Sequence, residues 1–327
     1  MIISRTPFRI SFFGGGTDYP AWYEEHGGAV LSTTIDKYCY INIRYLPPFF
    51  EHKHRIVYSN IEKVKSINEI QHPVVKALLN CFKIERGVEI HHDGDLPARS
   101  GLGSSSAFTV GMLNSLYALK GSIISKTELA KQAIDIERNV LKENVGSQDQ
   151  VAVACGGFNK ITFHKDHNFR IEPITLQKDR IVQLQDHLVL MFTGFSRFAS
   201  EIAAEQIKNT RDRKKELTEL KQMVDHAVGI LNSSQDIVEF GKLLHESWQL
   251  KKCLSSKISN QSLDDLYKNA LKHGAVGGKL LGAGGGGFML LFVRPENREK
   301  LKQGLKNYLE VKFSFENEGS QIIYYNS

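Results

Sequence analysis

The stretch SGLGSSS at 100–106 constrains this chain more than any other seven residues. Gly101 and Gly103 permit a turn that other residues resist. Ser104, Ser105 and Ser106 supply hydroxyls where a helical period begins. Phe108, Met112, Leu116 and Leu119 recur at three- and four-residue spacing, and Gly121 closes the run, which predicts an amphipathic helix. A glycine turn opening onto a helix offers backbone N–H groups at the positive end of the helix dipole, a place for an anion. The plain alternative is a loop with a serine N-cap; three serines in succession favour phosphate binding. This is not a Walker A loop, which needs GxxxxGK[ST]. The nearest approach, Gly278-Lys279-Leu280, lacks the hydroxyl, and His273 stands where the leading glycine belongs. No HRD or DFG is present, so the protein-kinase set is excluded.

Two further glycine-rich segments flank this one. KLLGAGGGGFMLLFV at 279–293 contains GxGxxG at Gly282, Gly284 and Gly287. These glycines precede a strand pattern, whereas the dinucleotide fingerprint follows a strand and opens a helix. Five glycines in the six residues 282–287 are an entropic burden for a passive hairpin. The expectation is a loop that lays its backbone against an active site. RTPFRISFFGGGTDYP at 5–20 alternates Phe8, Ile10 and Phe12 with Arg9 and Ser11, then breaks at Gly14–Gly16. Asp18 in the following loop either caps a tight turn or binds hydroxyls of a small polar ligand.

At roughly 100–200 residues per domain, 327 residues suggest two domains. Strands are expected over the first 50 residues, including 28–34 and 38–45. A helix follows at 72–83 and a strand at 87–92. Ser125 and Glu128 form a capping-box pattern that opens a helix to about 142. Strands follow at 158–163 and 188–193. Segments 200–231, 236–252 and 262–273 are helical in period, and the tail reads as a helix at 297–309 and a strand near 321–325. The boundary is expected between 175 and 190, giving domains 1–180 and 181–327.

Composition excludes several classes. With 41% hydrophobic and 24% charged residues the chain is ordinary for a globular protein, not disordered, collagenous or coiled-coil. Lys and Arg number 42 against 36 Asp and Glu, a spread-out excess of +6. That fits anionic small molecules and not a nucleic-acid footprint, where basic residues cluster. Four cysteines without a CxxC pair fit a reducing, cytoplasmic setting. No secretion signal is expected, and the longest apolar run, FMLLFV at 288–293, falls short of the ~20 residues that span a bilayer. His52-Lys53-His54 and His91-His92-Asp93 lack helical spacing and a third ligand, so a solvated loop and a strand end are expected rather than metal sites.

The three segments, in this order, resemble the GHMP kinase superfamily of small-molecule kinases, and the likeness spans the chain from Arg5 to about Val293. PARSGLGSSSA is similar to the family's ATP-phosphate loop. FFGGGTDYP is similar to the opening motif of galactokinases, but Gly15 and Gly16 stand where those carry the Glu and His that contact galactose. Together with HESWQLKKCLSSKISN at 245–260, that form resembles the branch that phosphorylates the anomeric hydroxyl of a heptose 7-phosphate; the fucose-kinase branch is similar too. The resemblance implies an α+β GHMP kinase fold: an N-terminal domain like ribosomal protein S5 domain 2, and a ferredoxin-like C-terminal domain.

The resemblance also implies roles. Asp149, in GSQDQ, is the expected catalytic base, and Glu137, 12 residues earlier, the expected magnesium ligand. Phosphoryl transfer needs such groups: charge neutralisation on the triphosphate, an in-line hydroxyl and an acceptor for its proton. Ser105 is the expected second ligand of Mg2+, with Ser104 or Ser106 as alternatives. Gly101, Leu102, Gly103, Ser104, Ser105 and Ser106 are expected to hold ATP. Arg9 is expected beside Asp149, stabilising charge on the transferring phosphoryl. Gly15, Gly16, Thr17 and Asp18, with Gly284 and Gly285, are expected around the substrate. A phosphorylated sugar needs a second anion site; Lys251 is the first choice, with Lys252 and Lys257 behind it and Arg5 and Lys37 as outsiders. RDRKK at 211–215 reads as an exposed helix face. Competing readings are a kinase for fucose, another hexose or mevalonate, a non-catalytic nucleotide or sugar sensor, and a nucleic-acid binder. The oligomeric state stays open, a homodimer included.

Overall fold

The first strand shows why the fold needs two faces of cover. In β1 (Ile2–Phe13) the residues alternate between buried and part-buried over Ile2–Arg5, then stay buried from Thr6 to Phe13. A half-covered strand alternates throughout; a strand buried on both faces reads as one apolar run. The computed structural model describes residues 1–98, 100–194 and 199–326. After β1 come α1 (Pro20–His26), β2 (Gly28–Tyr45), β3 (His54–Val57), β4 (Ile61–Val64), α2 (Pro73–Cys81), β5 (Val88–Gly94) and α3 (Ser104–Leu119). Then follow α4 (Lys126–Asp135), α5 (Gln148–Cys155), β6 (Phe158–Phe163), β7 (Phe169–Pro173), α6 (Lys178–Asp186), β8 (Leu188–Gly194), α7 (Ala199–Asn209) and α8 (Lys214–Leu231). The chain ends with α9 (Val238–Cys253), α10 (Gln261–Lys272), β9 (Ala275–Leu280), β10 (Gly287–Val293), α11 (Arg298–Gly304), β11 (Leu309–Val311), β12 (Phe315–Glu316) and β13 (Gln321–Tyr325).

One sheet runs β13-β1-β2-β5-β3-β4, with β6 and β12 paired to β2 and β7 paired to β6. A second, antiparallel sheet runs β11-β8-β10-β9. Helices α3 and α5 pack on β1 and β2, while α8 and α9 come from the second half of the chain onto β1. That double cover explains the burial of β1. Phe12 makes edge-on contacts with Phe158 of the first sheet and Phe240 of α9, at 5.6 and 5.5 Å between ring centres. No helix among the described residues is long and apolar enough to cross a membrane.

Several expectations shift. The strands expected at 28–34 and 38–45 are one strand, β2, whose register with β1 slips between Pro7 and Phe8 opposite Asp36 and Lys37. The helix α3 is buried nearly all round and not along one stripe. The helix expected to 142 ends at Asp135 and passes into a π-helical turn at 136–140. The helix expected at 200–231 breaks between Asn209 and Lys214, where the Thr210 hydroxyl turns back onto the Gln206 carbonyl at 3.1 Å. The tail helix stops at Gly304. The tail also departs from the division at residue 180: β12 pairs with β2 and β13 with β1, so the chain's end returns to the first sheet.

Gly14 shows how tightly the first segment is built. It sits at φ +82°, and a Cβ there would stand 1.9 Å from the Ala29 carbonyl oxygen. Gly121, at φ +70°, has open space around it. Left-handed backbone costs a side chain about 1–2 kcal/mol wherever it occurs, and forced overpacking adds about 1–3 kcal/mol. Gly121→Ala is therefore expected to cost about 1–2 kcal/mol and Gly14→Ala about 2–5 kcal/mol, read from urea unfolding midpoints.

Candidate active site

The site is assembled around Arg9, in the buried middle of β1. Its guanidinium is a bidentate partner of Asp149, with Nε donating to Oδ1 at 2.7 Å and Nη2 to Oδ2 at 2.8 Å. Nη1 donates to the Gly101 carbonyl at 2.7 Å, and the Arg9 backbone N–H donates to the Leu102 carbonyl at 3.0 Å. One residue thus ties the glycine–serine turn to β1 through both side chain and main chain. Gly103, at φ +75°, lies over the pair: a Cβ there would sit 3.2 Å from Arg9 Cγ and 3.5 Å from Asp149 Oδ2. Asp149 falls in the first turn of α5 and not in a loop. Its side chain is 26% exposed against 3% for Arg9, so the carboxylate is the member of the pair that reaches the cleft.

Asp18 is buried beside them. Oδ1 accepts from the Gly16 N–H at 3.0 Å and Oδ2 from the Gln148 N–H at 3.4 Å. The turn before Asp149 is wrapped on this carboxylate, because a Cβ at Gly146 would stand 1.9 Å from Oδ2. Burial, and then the charge of Asp149, push Asp18 up to about 6. Gly15 faces open space, with only Gln148 Nε2 and Ser11 Oγ at 3.9 and 4.0 Å from a notional Cβ. Thr17 turns inward: its hydroxyl donates to the carbonyls of Gly14 and Ala29 at 2.8 and 2.9 Å, so it shapes the segment from within. Gly16 packs against Leu217 and Leu254.

Glu137 lies in the π-helical turn and is fully buried. Oε2 accepts from Ser106 Oγ at 3.0 Å and from the Gln150 amide, and the Thr109 hydroxyl also acts on the carboxylate, whereas Oε1 of Glu137 and Oε1 of Gln150 make no hydrogen bond of good geometry among the described residues. Burial is the main force pushing Glu137 up to about 7. The serine expected here was Ser105; Ser105 is exposed, and Ser106 meets the carboxylate. An orphaned carboxylate oxygen beside a hydroxyl and an amide oxygen is a hard-oxygen set that fits a small divalent cation keeping most of its waters. No group of three or more His, Cys, Asp or Glu side chains that could hold a metal ion gathers among the described residues.

The third glycine segment packs onto the second backbone to backbone. A Cβ at Gly282 would stand 2.4 Å from the Gly101 Cα, and one at Gly287 would stand 2.3 Å from the Ser100 carbonyl oxygen. Gly284 and Gly285 lean on the chain after α9: the Gly285 N–H donates to Ile258 at 2.9 Å, and a Cβ at Gly284 would stand 2.8 Å from the Ile258 Cα. Lys251 is buried, and its Nζ donates to the carbonyls of Leu280 and Gly282. Burial, and the charge of Arg9, lower it to about 7 against the pull of Asp18 and Asp149. Lys252, Lys257 and Lys37 pair elsewhere, with Asp264, Glu205 and Asp36, and Arg5 bonds Gln321 and stacks on Tyr38. Sequence reasoning passed over Lys279, whose buried Nζ donates to the Phe12 carbonyl at 2.7 Å, and Gln150 and Gly146. Gln150 beside the singled-out Asp149 was the available signal; nothing local marks the other two.

A glycine–serine turn opening onto a helix, an Arg–Asp pair beneath it and a buried Glu–Ser pair beside it are an arrangement suited to phosphoryl transfer onto a small molecule. The chain belongs to the GHMP kinases: residues 68–157 match the family's N-terminal domain and 217–311 its C-terminal domain. It is 30% identical to the D-glycero-alpha-D-manno-heptose 7-phosphate kinase of Campylobacter jejuni, over 97% of each chain. A galactokinase of Pyrococcus furiosus is 27% identical over 96% of this chain and 95% of its own. Among solved structures, a D-glycero-D-manno-heptose 1-phosphate kinase from Bacteroides thetaiotaomicron shares the fold with a TM-score of 0.81, at 24% identity over 100% of both chains. The protein is an ATP-dependent sugar kinase with the α+β fold of this family.

The raised Asp18 carries a consequence for stability. Between its ordinary value of 3.8 and the folded value of about 6, the folded state holds a proton that the unfolded chain releases. Its contribution is fully present below 3.8 and is lost as pH rises through 6. The stability of the wild type relative to Asp18→Asn is therefore expected to fall from pH 4 to pH 6 and to level off above, measured by urea unfolding at half-unit pH steps.

Proposed function

We propose that this kinase transfers the γ-phosphoryl of ATP, with Mg2+, to the anomeric hydroxyl of a sugar phosphate in the cytosol. The substrate is D-glycero-D-manno-heptose 7-phosphate, and the product is the 1,7-bisphosphate used for nucleotide-activated heptose. The observation that carries the kinase chemistry is the Arg9–Asp149 pair under Gly103, which sets a carboxylate against the turn that receives the phosphates. Two observations support the heptose acceptor. The likeness to the Campylobacter jejuni kinase runs the length of both chains. Gly15 leaves the space in front of Gln148 open, which suits a sugar bulkier than a hexose.

In this reading Asp149 accepts the proton of the anomeric hydroxyl as its oxygen bonds to the γ-phosphorus and the bond to the β,γ-bridging oxygen breaks, leaving ADP. Arg9 holds the carboxylate in place and faces the charge that develops on the transferring group. The N–H groups at the start of α3 receive the phosphates. Asp18 orients sugar hydroxyls. Glu137 and Ser106 hold Mg2+, which when bound offsets the charge of the triphosphate. Intact acid, base partner and phosphate turn argue against a non-catalytic sensor, and the spread of basic residues along the sequence argues against a nucleic-acid role.

An ADP-release assay across the heptose 7-phosphate, D-mannose, L-fucose, D-galactose and mevalonate tests this. Turnover is expected on the heptose phosphate, with kcat at least about 100-fold lower in Asp149→Ala; turnover only on an unphosphorylated sugar overturns the acceptor and keeps the kinase. Ser106→Ala is expected to raise the Mg2+ concentration for half-maximal rate several-fold and Ser105→Ala to leave it unchanged; the reverse pattern returns the ligand to Ser105.

A further inference from the structure

The start of the third glycine segment is held by two side chains from the second half of the chain. Lys251, on α9, donates through Nζ to the Leu280 carbonyl at 3.0 Å and to the Gly282 carbonyl. Gln206, on α7, donates through Nε2 to the next carbonyl, Ala283, at 2.7 Å. Both side chains are buried. A segment of five glycines in six residues has little conformational preference of its own. These two side chains supply what the sequence of the segment lacks.

What they hold in place is the seat of the phosphate turn. Gly282 faces the Gly101 Cα closely enough that no Cβ fits between them, and a Cβ on Gly101 would stand 2.5 Å from the Leu281 carbonyl oxygen. Gly101 and Gly282 both adopt left-handed backbone, at φ +82° and +74°. A shift of the segment therefore moves the turn that starts α3, or clashes with it. The carbonyls on either side of Leu281 are the two that Lys251 grips.

We propose that Lys251 and Gln206 are positioning residues for ATP: they fix the third glycine segment against Gly101, and so set the phosphate turn on the triphosphate. Lys251 is thereby assigned to the nucleotide half of the site and not to a phosphate on the sugar. Its amine retains two N–H donors whether charged or neutral, enough for the two carbonyls. The proposal rests on the kinase class and does not depend on the identity of the acceptor sugar.

The test compares nucleotides that differ only in phosphates. Binding of a non-hydrolysable ATP analogue with Mg2+, and of AMP, is measured by calorimetry for wild type, Lys251→Met, Lys251→Arg and Gln206→Leu, with circular dichroism and melting as the check on folding. The expected result is about a tenfold loss of analogue affinity in Lys251→Met and Gln206→Leu, with AMP within twofold of wild type, and recovery to within threefold in Lys251→Arg. Equal losses for analogue and AMP, or no loss in a folded variant, overturn the proposal. So does a rise confined to the KM of heptose 7-phosphate with analogue binding intact, which makes Lys251 a substrate anchor. If Lys251→Met does not fold, Gln206→Leu decides by the same criteria. Failure of the heptose assay with this nucleotide pattern preserved refutes the acceptor alone.

Discussion

A guanidinium that is almost entirely buried must have its donors answered, because an unpaired buried charge is among the costliest things a fold can contain. Arg9 is answered by a carboxylate and by the main chain of the glycine–serine turn. The bidentate geometry leaves Asp149 little freedom of orientation. The third donor draws Gly101 onto β1. Three segments far apart in sequence thereby meet at one side chain: the start of α5 with its carboxylate, the glycine–serine turn before α3, and β1 itself.

Close approach then dictates the glycines. The glycine–serine turn is clamped between Arg9 below, where a Cβ at Gly103 would be tight at 3.2 Å, and the third glycine segment above, where a Cβ at Gly101 would stand 2.5 Å from the Leu281 carbonyl oxygen and has no room. The lysines follow from the same crowding. Lys251 and Lys279 are buried where β9 meets β1 and α9, and carbonyl oxygens answer both ammonium groups. Burial lowers Lys251 to about 7 and Lys279 well below its ordinary value. With Asp18 and Asp149 alongside, the interface between the two halves is a polar core, in which positive and negative groups balance only through geometry. The return of β12 and β13 to the first sheet binds the halves further.

The elements were largely legible, for reasons that can be located. The strands β8 and β10 are apolar runs and β1, β5 and β6 carry apolar residues interleaved with polar ones, and the Ser125 cap is made as the pattern predicts, with Oγ accepting from the Glu128 N–H at 3.2 Å. Misreadings fall where tertiary contact overrides local preference. A two-residue slip opposite β1 carries β2 through a point that reads as a break. The helix α3 has a helical period but lies at the centre, so its polar positions are buried as well: Ser115 bonds Ser4, and Thr109 folds back on Ser105. The serine that meets Glu137 shows how geometry selects among equals. Three successive serines are equivalent in sequence, and helical geometry turns each by about 100° from the last; only Ser106 arrives at Glu137.

The sequence by itself determined what local chemistry can encode: a glycine turn that must precede a helix, a strand that breaks into glycines ahead of Asp18, an acid 12 residues after another, and through these the kinase family. Tertiary structure decided the partners. Arg9 and Asp149 are 140 residues apart, and Lys279 and the Phe12 carbonyl are 267 apart. Which carbonyl a buried lysine reaches depends on how two halves of the chain dock, and a lysine's own neighbours in sequence carry no record of that. Lys251 reads locally as one basic residue among several at the end of α9; only the packing of that helix against β9 turns its ammonium inward, onto the glycine segment.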